Sequence, residues 1–204
     1  MKVAVALFAK APVAGRVKTR LAASVGHRAA CSFYQKMCEA VAAVAAQTAP
    51  AHLTLWYTPT AQPTLRRLAR QVGADLRAQP QGDLGQRLYW VAAQELRRAE
   101  VVLLIGADAV GITPGHLQKA VRVLQGNTDV VVAPAGDGGY TLIGLRKPIR
   151  AVFQQIPWGS SKVMTATQRR CRRAGLDLAQ LPTAHDLDTV RDLKTWLQAR
   201  GAAL

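Results

Sequence analysis

Four cationic side chains fall within eleven positions near the start of the chain and surround a glycine. They are Lys10, Arg16, Lys18 and Arg20, around Gly15. Glycine lets a ligand approach the backbone closely, and clustered ammonium and guanidinium groups suit a di- or triphosphate. The segment is not a Walker A loop, because the earlier glycine of that motif is missing. The pattern favours a phosphate-binding loop over a merely solvated basic loop.

Carboxylates occur at two later places where a metal ion could be held. Asp108 closely follows the apolar run Val101–Ile105, and Asp186 and Asp188 lie two positions apart. Magnesium in proteins takes one or two carboxylates together with substrate phosphates. Asp186 and Asp188 would point the same way in extended backbone and could complete a site with Asp108. The alternative is that these residues cap the helices that follow them.

Asp137 stands in a turn with Gly138 and Gly139 between two predicted strands. Such a turn could be a simple hairpin, or its glycines could leave room for a sugar against the backbone. Trp158 precedes a predicted helix and could line a pocket or belong to the core.

The segment Gly82–Arg87 combines a helix cap with a cation. Asp83 is predicted to cap the next helix, and Arg87, one turn further, could reach the same crevice. The other tryptophans have no such neighbours and are predicted to be core residues: Trp56, Trp90 and Trp196.

Short apolar runs alternate with longer amphipathic segments, which predicts an α/β fold. Strands are expected at 3–8, 53–57, 101–105, 130–133, 141–145 and, as a short edge strand, 178–181. Helices are expected at 28–46, 64–72, 84–98, 114–124, 161–174 and 190–199. This alternation is typical of a three-layer α/β/α sandwich with a mostly parallel sheet. A single domain over residues 1–204 is expected, with ligands at the carboxyl ends of the strands.

Charge indicates an anionic partner but does not choose between a small phosphate and a polymer. The 204 residues include 27 Lys+Arg and 12 Asp+Glu, for a net charge of +15. Binding to nucleic acid is the less favoured alternative, because aromatics make up only 5% of the chain and single-strand binding uses aromatic faces. The arginines that would serve it lie on separate predicted helices: Arg66, Arg67, Arg70, Arg97, Arg98, Arg169, Arg170, Arg172 and Arg173.

The chain lacks an apolar run of membrane-spanning length. Its first apolar stretch is broken early by Lys10 and Pro12, so a cytoplasmic location is expected. Cys31 and Cys38, seven positions apart on a helix, are too far apart for a disulfide.

Taken in order, these segments resemble the DUF2064 proteins, which are regarded as glycosyltransferases of the nucleotide-diphospho-sugar transferase superfamily. The resemblance spans residues 3–193 and is carried by segments 9–21, 82–87, 105–108, 134–145, 156–158 and 186–189. It extends more distantly to the molybdenum-cofactor and phospholactate guanylyltransferases. The family usually has Asp-Cys-Pro-x-Leu-Thr after the third strand, whereas this chain has Asp108-Ala-Val-Gly-Ile-Thr113.

The resemblance implies a GT-A-like fold and a Mg²⁺- or Mn²⁺-dependent transferase acting on a nucleotide-activated substrate, with glycosyl transfer expected. The alternatives are nucleotidyl transfer to a small phosphorylated acceptor and a non-catalytic nucleotide-binding module. By analogy, the phosphates would be held by Lys10, Gly15, Arg16, Lys18 and Arg20, with Arg87 added as a nucleotide contact. The metal would be held by Asp108 and Asp188. The second substrate would meet Asp137, Gly138, Gly139 and Trp158. Lys18, Asp108 and Asp137 are the catalytic candidates.

Overall fold

The computed structural model describes residues 1–60, 62–184, 187 and 192, and its centre is a seven-stranded sheet. The strands are β1 Val3–Lys10, β2 His52–Thr58, β3 Asp75–Ala78, β4 Val101–Gly106, β5 Val130–Pro134, β6 Tyr140–Leu145 and β7 Leu178–Gln180. Their order across the sheet is β3-β2-β1-β4-β6-β5-β7. Only β6 runs antiparallel to its neighbours, β4 and β5. The predicted mostly parallel sheet is therefore confirmed.

The helices are α1 Thr19–Val25, α2 His27–Gln47, α3 Pro63–Gln71, α4 Leu84–Glu95, α5 Pro114–Gln125 and α6 Val163–Arg173, with a short 3-10 helix at Arg150–Phe153. The predicted cap at Asp83 is confirmed: Asp83 caps α4, and Thr113 caps α5, each in a reciprocal capping box. These caps fix where both helices begin, just beyond the carboxyl ends of the strands. The helix predicted at 190–199 lies outside the described residues, apart from Asp192.

Two buried clusters lie on the two faces of the sheet and define three layers. One contains Leu7, Leu103 and Ile105 with residues of α2, α3 and α5. The other contains Ala6 and Leu104 with residues of α4, the 3-10 helix and α6. Alternate residues of one strand thus face opposite helix layers, which explains why β4 is apolar throughout. The predicted three-layer α/β/α sandwich is confirmed.

The structure corrects the prediction for Trp90, whose indole is 43% exposed, whereas Trp56 is buried at 2% as expected. Trp90 lies on α4 and packs edge-to-face on Trp56, with ring centroids 5.7 Å apart. A helix on the surface of a protein buries one stripe of side chains against the core, and Trp90 lies next to that stripe on α4. Trp196 lies outside the described residues. Within the described part of the chain, none of the helices combines the length and the apolar character of a membrane span.

A buried carboxylate ties α4 to β2. Glu95 is 1% exposed; it accepts a hydrogen bond from the Trp56 indole at 3.0 Å and pairs with Arg98 at 2.9 Å. Arg98 also reaches Asp75 at 3.0 Å and donates to the Thr54 hydroxyl at 2.6 Å. Arg98 is therefore a structural cross-link between α4, β2 and β3.

We expect Arg98→Ala to lower the free energy of unfolding by about 2 kcal/mol, because it leaves the Glu95 carboxylate buried with one partner fewer. Urea denaturation measures the effect. Arg67→Ala is the control: Arg67 meets Glu39 at 3.9 Å on the surface, and its loss should cost about 0.5 kcal/mol or less. Equal losses in both variants would contradict the structural role of Arg98.

Cys31, Cys38 and Cys171 are buried free thiols. The prediction that Cys31 and Cys38 form no disulfide with each other is confirmed. Burial raises the pKa of all three, that of Cys171 to about 11 and that of Cys38 to about 12. A thiol is neutral below its pKa, and only the thiolate reacts readily. We expect the native protein to resist alkylation by iodoacetamide at pH 8 and to release three reactive thiols in urea. Rapid labelling of the folded protein, followed by mass spectrometry, would contradict this.

Candidate functional site

Side chains from two distant segments meet in one cavity at the carboxyl ends of β1 and β4. The cavity has a volume of about 260 Å³, and the charged groups that line it are Lys10, Lys18, Arg20 and Asp108. Lys18 Nζ lies 2.9 Å from Asp108 Oδ2. The Lys18 side chain is 6% exposed, whereas that of Asp108 is 35% exposed. The structure thus brings together three predicted phosphate-binding cations and one predicted metal ligand.

The sheet topology explains why these segments meet. The chain leaves β1 towards β2 on one side, whereas β4 pairs with β1 on the other side. The connections after β1 and β4 therefore diverge and leave a crevice, the usual ligand position in open α/β sheets. Ala107 N–H donates to Phe8 carbonyl at 2.9 Å and holds the start of the Asp108 loop against the end of β1.

The backbone before α1 places Lys18 in the cavity. Lys18 has φ 45° and ψ 48°, the left-handed region that a non-glycine residue rarely adopts. Val17 beside it is 3% exposed, and Ala11 N–H donates to Thr58 carbonyl at 2.7 Å. Such backbone persists only where its surroundings fix it, and it clusters at functional sites. The buried neighbours hold the Lys18 ammonium towards Asp108.

Tyr34 of α2 anchors the backbone of Lys10, where the same loop begins. Its hydroxyl accepts the Lys10 N–H at 2.8 Å and donates to the Lys10 carbonyl at 3.3 Å. Burial is the main reason that the pKa of the Tyr34 phenol lies well above its ordinary value, and the Cys38 thiol and the Asp108 carboxylate add to the effect. The phenol therefore stays protonated and can keep both hydrogen bonds.

A second cavity of about 230 Å³ adjoins the first, and Phe8 lines both. Asp137, Gly139 and Trp158 line the second cavity. Asp137 is exposed, and its Oδ1 accepts the Gly139 N–H at 2.9 Å. Three of the four residues predicted to meet a second substrate thus surround a space beside the cationic cavity.

Gly138 plays a packing part in the same turn. Its φ is +88°, and a Cβ built on it would lie 2.8 Å from the Ser161 carbonyl carbon and 2.9 Å from Ser161 Cα. Its carbonyl accepts the Met164 N–H at 2.9 Å. The turn therefore rests directly on the start of α6, and only a residue without a side chain fits there.

Other predicted nucleotide contacts lie away from the lining of the first cavity. Gly15 has a positive φ of +82°, but it and Arg16 are exposed and outside that lining. Arg87 is half-buried, and its Nε donates to the Gly82 carbonyl at 2.8 Å, so it braces its own loop. Asp186 and Asp188 lie outside the described residues.

The residues present suit a metal ion that arrives with phosphates. Asp108 offers an accessible carboxylate beside three cations, and Mg²⁺ commonly takes one or two carboxylates plus substrate oxygens. No group of three or more His, Cys, Asp or Glu side chains capable of holding a metal occurs among the described residues. Among the described residues, Asp108 is the carboxylate of the cavity that could hold such an ion together with the oxygens of a bound phosphate.

The arginines considered for nucleic-acid binding do not form one surface. Arg66, Arg67 and Arg70 belong to α3, and Arg169, Arg170, Arg172 and Arg173 to α6. These helices cover opposite faces of the sheet. Arg98 is engaged with Glu95 and Asp75. The high net charge is therefore spread over both sides of the molecule.

Four residues that line the first cavity are not among the predicted site residues: Phe8, Val17, Thr19 and Tyr34. Val17 and Thr19 at least lie within the predicted phosphate-binding loop. Phe8 precedes Lys10 on β1, and Tyr34 lies fifteen positions beyond Thr19 in a helix whose apolar spacing indicates only core packing. Successive side chains of a strand point to opposite faces of the sheet, so Phe8 faces the layer opposite to that of Leu7. That alternation does not by itself show that Phe8 lines a cavity. For Tyr34 the sequence offers no signal, because its role depends on which loop lies above α2.

The chain matches one protein family and several solved structures. The family profile described as "Uncharacterized protein conserved in bacteria (DUF2064)" matches residues 41–160. A structure from Desulfovibrio desulfuricans G20, provisionally named a nucleotide-diphospho-sugar transferase, is 32% identical with a TM-score of 0.88. That match covers 98% of this chain and 88% of the other. No curated protein matches the sequence significantly.

More distant structures share the fold. A 4-diphosphocytidyl-2C-methyl-D-erythritol synthase from Anaerococcus prevotii DSM 20548 is 11% identical with a TM-score of 0.64, covering 97% of this chain and 98% of that one. A CMP:2-keto-3-deoxy-manno-octonic acid synthetase in complex with CTP is 13% identical with a TM-score of 0.63, covering 98% and 100%. The fold is thus that of the nucleotide-diphospho-sugar transferases and nucleotidyltransferases.

Proposed function

This chain belongs to the DUF2064 family, and we propose that it is a Mg²⁺-dependent transferase that uses a nucleotide-activated substrate, with a nucleotide-sugar as glycosyl donor. One observation carries the proposal: Lys10, Lys18, Arg20 and Asp108 line one cavity at the carboxyl ends of β1 and β4. The Desulfovibrio desulfuricans structure, which covers nearly the whole chain, supports a transferase.

The cations bind the diphosphate of the donor. Lys10 and Arg20 attract it from the exposed rim, and Lys18 contacts it from the buried wall. When the bond between the sugar and the diphosphate breaks, negative charge develops on the departing diphosphate. A fixed ammonium with little access to water stabilises that charge more than an exposed one does.

Asp108 is the proposed metal ligand. A bound Mg²⁺ would neutralise phosphate charge as a Lewis acid. Because Lys18 already pairs with Asp108, the arriving phosphate provides Lys18 with a second anionic partner.

Asp137 is the proposed general base. Its Oδ1 accepts the Gly139 N–H, and the carboxylate can take the proton of an acceptor hydroxyl in the neighbouring cavity.

Calorimetric titration with nucleoside diphosphates, nucleotide-sugars and nucleoside triphosphates, with and without Mg²⁺, tests the proposal. At a ligand concentration of 100 times Kd, thermal unfolding should report stabilisation of about 2.7 kcal/mol. The absence of binding for every nucleotide would overturn the proposal. The products distinguish the reactions: glycosyl transfer releases a nucleoside diphosphate, whereas nucleotidyl transfer from a triphosphate releases pyrophosphate.

We expect Asp108→Asn to remove the Mg²⁺-dependent part of nucleotide binding, because an amide carries no charge to offset the cation. Nucleotide titration of the variant with and without Mg²⁺ measures this. Asp177→Asn is a control, because the Asp177 carboxylate lies just before the start of β7 and does not line the cavity. Full metal dependence in Asp108→Asn would mean that another residue binds the metal. Nucleotide binding without turnover on any acceptor would instead favour a binding module.

A further inference from the structure

A larger cleft, of about 760 Å³, lies between α4 and the segment that joins the 3-10 helix to α6. Three aromatic rings line it: Tyr89 and Trp90 from α4, and Trp158 from the opposite wall. None of its lining residues also lines the 260 Å³ cavity that holds Lys18 and Asp108. A nucleotide in that cavity would therefore leave this cleft available to a different molecule.

The cleft adjoins the proposed acceptor side of the site at one residue. Trp158 lines both the cleft and the 230 Å³ cavity that contains Asp137. Its indole packs edge-to-face on Tyr140, with ring centroids 6.2 Å apart. A Cβ on Gly85 would lie 2.9 Å from Trp158 Nε1, so a glycine is needed for α4 to approach this ring.

The aromatic rings are held in place although one of them is exposed. Trp90 is 43% exposed and is fixed at its edge by Trp56. Isolated exposed apolar residues are common on proteins, but here Trp90 lines a concave surface with two further aromatic rings. A fixed aromatic face in a cleft provides contact area at low cost in conformational entropy.

The polar groups of the cleft suit hydroxyls and one negative charge. The amides of Gln81, Gln86, Gln154 and Gln155 line it. The amide oxygens of Gln86 and Gln155 already accept hydrogen bonds from Asp83 N–H and Arg170, and the amide NH₂ groups can donate to ligand hydroxyls. Arg150 is exposed, with its guanidinium carbon 4.9 Å from the centre of the Tyr89 ring. Arg170 donates to the Ala151 carbonyl and the Gln155 amide oxygen. The carboxylate of Asp83 is engaged in capping α4.

We propose that this cleft binds the acceptor, and that the acceptor is a saccharide carrying a carboxylate or phosphate. The flat C–H face of a pyranose packs on Trp90, the glutamine amides bind its hydroxyls, and Arg150 pairs with its anionic group. The chain of the acceptor then passes Trp158 to reach the cavity with Asp137. This inference rests on the proposed transferase function, since it names the second substrate of the same site.

Calorimetric titration of the protein with tetragalacturonate, maltotetraose and AMP tests the inference. Tetragalacturonate, which has carboxylates, is expected to bind about tenfold more tightly than neutral maltotetraose, the size of one charge-assisted hydrogen bond. Trp90→Ala should weaken tetragalacturonate binding about tenfold, from loss of one aromatic contact. Arg150→Gln should remove the preference for the acidic sugar, whereas Arg122→Gln, on α5 in the opposite layer, should not change it.

Each other outcome overturns the inference. If neither saccharide binds, or if both bind equally well, the assigned ligand class is wrong. If Trp90→Ala loses AMP binding but keeps tetragalacturonate binding, the cleft binds a nucleobase and not a saccharide. If Trp90→Ala does not fold, Arg150→Gln still tests the inference, because Arg150 is exposed and its substitution should remove the preference for the acidic sugar. Nucleotide titrations on the same variants separate the two proposals. Nucleotide binding without saccharide binding contradicts only the assignment of the cleft, whereas saccharide binding without nucleotide binding contradicts the transferase function and, with it, the role of the saccharide as acceptor.

Discussion

Lys18→Met is expected to lower transferase turnover by about 100-fold, the usual effect of removing one preorganised group that stabilises developing charge. Methionine keeps much of the length and apolar stem of lysine, so the 6% exposed side chain remains filled while the ammonium is lost. The Asp108 carboxylate loses its partner at 2.9 Å but is 35% exposed, so water can replace much of that contact. Steady-state kinetics with the nucleotide identified by titration measure the change.

Lys36→Met is the matched control, because Lys36 is an exposed lysine on α2 outside the cavity. It should leave turnover unchanged. Circular dichroism and urea denaturation of Lys18→Met separate a folding defect from a catalytic one. A folded Lys18→Met protein with full turnover would contradict the assigned role of this lysine.

Gly138→Ala is expected to lower the free energy of unfolding by about 3 kcal/mol, from a left-handed backbone and a collision with packed backbone. The collision is with Ser161 at the start of α6, whose carbonyl carbon would lie 2.8 Å from the new Cβ. Backbone cannot rotate aside as a side chain can, so the turn or α6 must move. The midpoint and slope of urea denaturation measure the loss.

Gly175→Ala isolates the two causes. Gly175 also has a positive φ, +64°, but a Cβ there would meet nothing within 4 Å. Its substitution should cost about 1 kcal/mol, from the backbone alone. Equal losses in Gly138→Ala and Gly175→Ala would show that the turn does not rest on α6 as described.

Elements with a strong local signal could be predicted from the sequence. The apolar run at 101–105 became a strand covered on both faces, and Asp83 and Thr113 became helix caps. Local chemistry suffices in these cases, since burial of a continuous apolar strand and side-chain capping act within a few residues. The strand-end rule then placed the cationic loop and Asp108 at one edge.

Elements fixed by distant partners could not be predicted. β3, Asp75–Ala78, has four residues, mostly exposed, and is a strand because it pairs with β2 at the edge of the sheet. α1 is a seven-residue helix that Gly26, at φ 82°, separates from α2. Neither has the apolar periodicity that identifies an element from its own residues.

The cavity itself also depends on tertiary arrangement. The pairing of Lys18 with Asp108 joins segments ninety positions apart, and no local pattern fixes their distance. Trp90 shows the converse case: a tryptophan on an amphipathic helix is usually buried, yet Trp90 lies beside the buried stripe of α4 and is 43% exposed. The roles of the site residues remain predictions for the experiments above.

The reversed direction of β6 has a consequence for how new specificities could arise on this scaffold. Because β5 and β6 form a hairpin, the turn at 135–139 opens at the same edge as the cationic loop, yet both its ends are anchored in the sheet. Gly138 holds one side of this turn against Ser161, but Gly136 and Asp137 are exposed, and exposed loop positions tolerate insertions better than the elements they connect. If the turn meets the second substrate and the cationic loop holds the phosphates, as proposed, lengthening the hairpin would change the specificity for one reactant without altering the binding of the other.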